Sequence, residues 1–417
     1  MQNNYRLPLV FLSALFFAWG FIICLNDILI PHLKHVFDLN YVQAALVQFC
    51  FFFAFFVMSI PSGMIIHKIG YQKGIVVGLL VTGLGSLLFL PAASVPSYGW
   101  FLTALFILAT GITLLQVAAN PFVALLGPPE LSASRLNLAQ AVNSFGTTIA
   151  PVLGGVFILK ATGLDAQKFS PLEEAAAVKL PYLGITAVLV LLAVVFYFIK
   201  LPKIEDDSAE SKEPGLWKKA LRRPHLVLGA VGIFLYVGAE IAIGSFLVSF
   251  ITQPHILGIS AKEAAYYVAI YWGCAMVGRF LGSALQTRYS SERTLLIAAF
   301  AAFILILGAV LTQGPLAMAL ILSVGLFNSI MFATIFTLGV RDLGPLTGMG
   351  SSILVAAIVG GAVIPLGVGA LADSFGLQTA LILPALCYVY IAYYAIWGCR
   401  TVKENSEIAV GLQTQPV

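Results

Sequence analysis

Charge is what this sequence has least of. Only 10% of its 417 residues are Asp, Glu, Lys or Arg, against 60% that are apolar, where a water-soluble domain carries about 25% charged residues. A chain this poor in charge lacks the polar surface to stay dissolved, so a soluble enzyme or binding module is excluded and an integral membrane protein is left. Cysteine is scarce too. Cys24, Cys50, Cys274, Cys387 and Cys399 lie in or at the ends of apolar runs without CxxC spacing, which supports neither a disulfide framework nor a zinc site. The five histidines (His32, His35, His67, His225 and His255) stand near span ends, with no HExxH, Cys–His pairing or lipid-phosphate motif. A membrane enzyme would need such convergent groups, and a channel would need rings of like charge or filter loops. After "MQNNYRLPLV" no small-residue cleavage site follows, so the first apolar run reads as a retained span.

What the sequence has instead is long apolar runs. A helix takes about 20 apolar residues to cross a bilayer, and runs of that kind fall at 7–31, 42–66, 74–93, 100–126, 137–159, 181–200, 226–251, 264–287, 294–313, 315–340, 350–372 and 376–399. They are too long and too evenly apolar for a closed barrel, whose segments alternate over about ten residues. The reading is an all-α membrane protein of twelve helices in two six-helix bundles. The halves are 1–200 and 226–400, joined by a linker at 201–225 and followed by a tail at 401–417. With the N-terminus inside, all of the 22 Lys and Arg except Lys34, Lys160, Lys168, Lys179 and Lys262 fall on the cytoplasmic side. Arg279 is counted there. Both termini are then cytoplasmic.

The halves echo each other. "NSFGTTIAPVLGG" at 143–155 in the fifth span matches "IVGGAVIPLGVG" at 358–369 in the eleventh, aligning Gly146 and Pro151 with Gly360 and Pro365. Upstream, "LGP" at 126–128 returns at 343–345. Internal repeats of this sort are common in transporters, whose substrate sites lie near the midplane between the halves.

Polar groups inside the spans are few enough to name. Asp27 in "GFIICLNDILIP" is the only charged side chain from Leu7 to Pro31, and a carboxylate at a span centre costs about 2.5–3.5 kcal/mol on insertion scales. Glu240 in "YVGAEIAIGSF" of span seven is the second such acid. Gln116 and Asn120 in "TLLQVAANPF" lie one turn apart on one face of span four. Gln140 and Asn143 share a face at the start of span five; Tyr271 and Trp272 follow in span eight and Asn328 in span ten. Each amide offers two donors and an acceptor, which suits the vicinal hydroxyls of a sugar, and aromatic faces pack against a sugar ring. The competing reading of these amides is interhelical glue, worth about 0.6 kcal/mol on average.

Between spans two and three, "SGMIIHKIGYQKG" places Gly63, His67, Lys68, Gly70 and Lys73 where they resemble the signature loop of the major facilitator superfamily, with His67 standing where that signature has an acid. Such loops latch the two domains in that superfamily. Four further blocks, "LNDILIPHLK", "LLQVAANPFVALLGP", "SRLNLAQAVNSFGTTIAPVLGG" and "FLYVGAEIAIGSFLVSF", are similar to the bacterial glucose/galactose transporters, a branch of the fucose–proton symporter family within that superfamily. The likeness runs from about residue 7 to 400, outside the linker.

The resemblance implies a sugar site in a central cavity and alternating access driven by a cation gradient, in a bacterial inner membrane. Asp27 matches one of the two carboxylates that the fucose symporters use. The other belongs to "ETAANPF", where this chain has Gln116. Gln140 and Asn143 match the polar pair in "AQxxN". At Glu240 the fucose pattern has glutamine, so the chain departs from that pattern at two places and L-fucose does not transfer as substrate. The expected function is import of a neutral hexose, glucose or galactose first, by a monomer. Other sugars (L-fucose, N-acetylglucosamine, mannose, fructose) and efflux are the alternatives. Gln116, Asn120, Gln140, Asn143, Glu240, Tyr271, Trp272 and Asn328 would bind the sugar, while Asp27 with Asn26 would couple the cation. No cofactor is expected. Sodium held by Asp27 is the first expectation for the co-substrate, and a proton is the alternative.

Overall fold

In a bilayer every backbone N–H and C=O must find a partner within the protein, and an evenly apolar run can meet that demand only as a helix. The computed structural model describes residues 5–36, 41–94, 97–154, 179–199, 201–202 and 216–401, and among them there is helix and no strand. The first half is α1 (Arg6–Val36), α2 (Tyr41–Ile69), α3 (Tyr71–Ser94), α4 (Tyr98–Leu125), α5 (Ser132–Gly154) and α6 (Lys179–Phe198). The second begins with α7 (Pro224–Ile251), α8 (Ala261–Leu285) and α9 (Ser291–Leu311). Its last three spans are segmented. Span α10 comprises Gly314–Asn328 and Met331–Gly339; α11 comprises Thr347–Ala356, a 3-10 turn at Ala357–Val359, and Gly360–Phe375. Span α12 joins Leu377–Ala380, Ile382–Tyr393 and a π turn at Tyr394–Gly398. Among the described residues 11 helical stretches are long and apolar enough to cross a membrane, and α5 is the twelfth helix. Large apolar side chains such as Leu180, Phe198, Leu311 and Leu366 stand exposed, as lipid-facing surfaces require.

Several boundaries differ from the sequence reading. Pro224 opens α7 at the position proline favours, so His225, read above as linker, lies in the helix. A short helix, Leu216–Leu221, forms inside the linker and buries Leu216 and Ala220. The 315–340 run is two helices, interrupted at Ser329–Ile330. Two arginines counted on the cytoplasmic side lie within helices. Arg135 is buried in α5, where its guanidinium donates to the carbonyls of Val123 (3.3 Å), Ala124 (2.7 Å) and Pro128 (2.7 Å), capping the carbonyl end of α4 with a cation. Arg279 lies within α8.

The internal repeat has a packing reason. Helix α5 packs on α1 and α11 on α7. A Cβ on Gly146 would collide with the carbonyl of Phe17, and one on Gly360 with the carbonyl of Phe234. Both "LGP" copies turn on a left-handed glycine, Gly127 (φ 103°) and Gly344 (φ 51°), and each leads through a 3-10 turn into its helix.

The halves meet through α5 against α8 and the second segment of α10, and through α2 and α4 against α11. The contacts gather toward the end of the bundle that carries most of the Lys and Arg, called here the basic end. There Ser134 Oγ donates to the Ser283 carbonyl (2.7 Å) and Ser283 Oγ to the Ser134 carbonyl (2.8 Å). Asn137 donates to Gln286 Oε1 (2.6 Å), and Gln286 donates onward to Thr334 (2.8 Å) and Thr294 (3.0 Å). Pro121 has no N–H, so the Val117 carbonyl one turn back lacks its helical donor. Ser351 of α11 supplies one across the halves at 3.0 Å.

Candidate functional site

The amides on α4 sit deep. Pro121 follows Asn120 within α4, and this stretch buries Gln116 (7% exposed) and Asn120 (0%). Neither Nδ2 nor Oδ1 of Asn120 has a hydrogen-bond partner. A buried amide left unsatisfied costs roughly 1–3 kcal/mol per group, a cost that a donor and an acceptor on a ligand would remove. On α5 Gln140 and Asn143 are each 8% exposed. Asn143 donates to the Phe16 carbonyl at 2.7 Å and packs on Gly20 of α1. In this conformation its amide nitrogen ties α5 to α1.

The second half contributes Glu240, buried on α7, with Tyr236 beside it one turn earlier. Its partner is Arg279 Nη2, 3.7 Å from Oε1. Gly278 and Gly282 put this arginine in place: a Cβ on either would strike α10 around Leu326–Ile330. The two helices thus touch where α10 is interrupted, and Arg279 Nε donates to the Ser329 carbonyl at 3.3 Å. Nη1 crosses to the other half and donates to Ser144 Oγ. Ser144 in turn donates to the Gln140 carbonyl (3.0 Å) and follows Asn143 directly. One guanidinium therefore links Glu240 to the turn of α5 that carries Gln140 and Asn143. Sequence reasoning missed Arg279 and Ser144. The signal for the first was present, because an acid buried in one span calls for a base in another, and "MVGRFLGS" supplies one between glycines.

Other candidates lie elsewhere. Asn328 and Tyr271 are fully buried, and Asn328 donates to Tyr271 Oη (2.9 Å) and Tyr388 Oη (3.3 Å). They form a closed network between α8, α10 and α12 that leaves only Asn328 Oδ1 unpaired. Trp272 is 37% exposed, edge-on to Tyr271 and packed on Gly244 of α7. The side chains of Asn26 and Asp27 lie outside the described residues. Of the loop residues, Gly70 (φ 82°) turns α2 directly into α3, and Gly63 lies so close to Ser352 and Gly348 of α11 that no side chain would fit. Among the described residues His67, Lys68 and Lys73 have no hydrogen bond or ion pair across the halves. The contact here is glycine packing.

Comparison with known proteins fits this geometry. The sequence profile of the Major Facilitator Superfamily matches residues 10–364. A glucose/galactose transporter of Brucella abortus is 51% identical over 403 residues, 96% of each chain. The L-fucose-proton symporter of Escherichia coli is 36% identical over 416 residues, 96% of this chain and 95% of that one. A crystal structure of a major facilitator superfamily transporter in the outward conformation superposes with a TM-score of 0.88 at 35% identity, covering 96% of this chain and 100% of the other.

Proposed function

We propose, from the premise that the chain belongs to the major facilitator superfamily and within it to the glucose/galactose branch of the fucose–proton symporter family, that it imports a neutral hexose together with a cation by alternating access. That it is a membrane sugar transporter rather than an enzyme follows from its relatives; hexose, cation and direction are the proposal. The observation that carries it is Asn120, a fully buried amide with both polar atoms unpaired, one turn from Gln116. A sugar hydroxyl pair, one donating and one accepting, satisfies such a group. Gln116 and Gln140 add amides on the same half, and Glu240 adds an acceptor from the other. Glucose or galactose is favoured by the Brucella relative's name and by the Glu240 position.

Asp27 couples the cation. Gln116 cannot titrate, so spans one and four hold no relay of two carboxylates, and a hard cation among oxygens suits the single one. Sodium is therefore the proposed ion. A proton is the second reading, favoured by the proton-coupled relative at 36% identity. Closure at the basic end corresponds to a cavity facing outward across a bacterial inner membrane, with the termini and linker cytoplasmic. The cation drives the cycle through its unequal affinity for the two states.

The test is uptake of labelled glucose and galactose into proteoliposomes under imposed sodium or proton gradients, repeated with Asp27→Asn. Sodium-dependent accumulation is expected, with exchange kept and accumulation lost in the variant. Indifference to sodium combined with collapse under an uncoupler makes the ion a proton. Undiminished accumulation by Asp27→Asn removes the coupling role.

A further inference from the structure

We infer that Arg279 is the positioning residue through which Glu240 controls closure of the basic end. The inference rests on the alternating-access reading above and deepens it. Arg279 has three partners in three directions. Glu240 of α7 holds its charge at 3.7 Å, the Ser329 carbonyl at the break in α10 takes Nε at 3.3 Å, and Ser144 Oγ on α5 of the opposite half takes Nη1. Two of these belong to its own half and fix the plane of the guanidinium. The third is broken whenever the halves separate at this end. A planar fork with five donors can serve all three partners at once, whereas an ammonium cannot hold that geometry.

The position of Ser144 gives the link its meaning. It sits beside Asn143 and bonds to the Gln140 carbonyl, and farther along the same helix toward the basic end lie Ser134 and Asn137, which close on Ser283 of α8 and on Gln286, the residue that follows that helix. Arg279 is on α8 too, one turn before Ser283. The α5–α8 pair thus carries one seam, sealed at the basic end by neutral groups and deeper in by the guanidinium that Glu240 aims. A ligand or cation that draws Glu240 away turns the guanidinium off Ser144 and loosens the seam from its inner end. Substrate binding at Glu240 and opening toward the basic side become one event.

The experiment reads opening directly and needs no sugar. Ser283→Cys places a thiol in the buried seam, and its reaction with a soluble maleimide in the purified full-length protein is followed by peptide mass spectrometry at that position. Against this background Ser144→Ala, which removes one hydroxyl, is expected to raise the labelling rate about tenfold, the effect of one lost hydrogen bond to a charged group. Glu240→Gln is expected to raise it comparably, and the double variant no further than either single one. Arg279→Lys should label like Ser144→Ala. Unchanged labelling in Ser144→Ala overturns the inference, as do rates that multiply in the double variant or full protection in Arg279→Lys. A chain that passes this test yet takes up no hexose refutes the proposed substrate and leaves the role of Arg279 standing.

Discussion

Glu240 and Arg279 show what a single buried charge asks of its surroundings. Their side chains are only 11% and 15% exposed, and removing one partner of such a pair typically costs about 3–5 kcal/mol, because the other is left uncompensated. Arg279→Gln alone should therefore lower the Tm of the detergent-solubilised protein by several degrees, and Arg279→Gln with Glu240→Gln should recover most of the loss; thermal unfolding followed by fluorescence checks both. Glu240 was legible in the sequence as an acid in an apolar run. Its partner was signalled only by that acid, because an arginine six residues from a helix end reads equally well as a charge at the cytoplasmic edge. The amides show a related limit. Asn120 and Asn328 look alike in sequence, yet one is unpartnered and the other bonds to two tyrosines. Only the neighbours brought in by other helices separate an unpartnered amide from interhelical glue.

At the level of helices, the echo between spans five and eleven marks equivalent close approaches, and the sequence displayed it without giving its cause. Gly146 and Gly360 face backbone carbonyls of α1 and α7, which cannot yield as a flexible side chain can. Replacing either with Ala should cost roughly 1–3 kcal/mol through overpacking, although alanine is the better helix former. Gly184 of α6, with nothing within 4 Å of its missing Cβ, is the control, and Gly184→Ala should hold or raise the Tm measured in the same way. The segmentation of α10 and α11 was not legible, since Asn328–Ser329 is only a two-residue polar step within a long apolar run and apolarity continues unbroken through Ala357–Val359. Both interruptions fall where another helix comes close, and tertiary packing overrides the local preference for helix.

For the molecule as a whole, the long apolar runs and the internal repeat were enough to give twelve spans in two related halves. The way the halves meet was hidden, because it depends on small and neutral residues such as Gly63, Ser134, Ser283 and Ser351, which carry no signal in a charge count. If the basic end is cytoplasmic, trypsin should cut the linker at Lys203 or Lys212 in inside-out vesicles and leave it intact in right-side-out ones. Cleavage only in right-side-out vesicles would reverse the assigned orientation.

The seam at the basic end is built from hydroxyls, amides and a freed carbonyl, with no ion pair across it among the described residues. Hydrogen bonds of this kind contribute about 1 kcal/mol each, net of water, and they are not screened by salt as exposed ion pairs are. The polar share of the closure is therefore small, a few kcal/mol. A solute tips a balance of that size through the difference in its affinity for the two states, and a hundredfold difference corresponds to roughly 2.8 kcal/mol. A modest preference for one state is then sufficient to shift the seam, whatever the overall affinity, and ionic strength has little hold on the hydrogen bonds that close it.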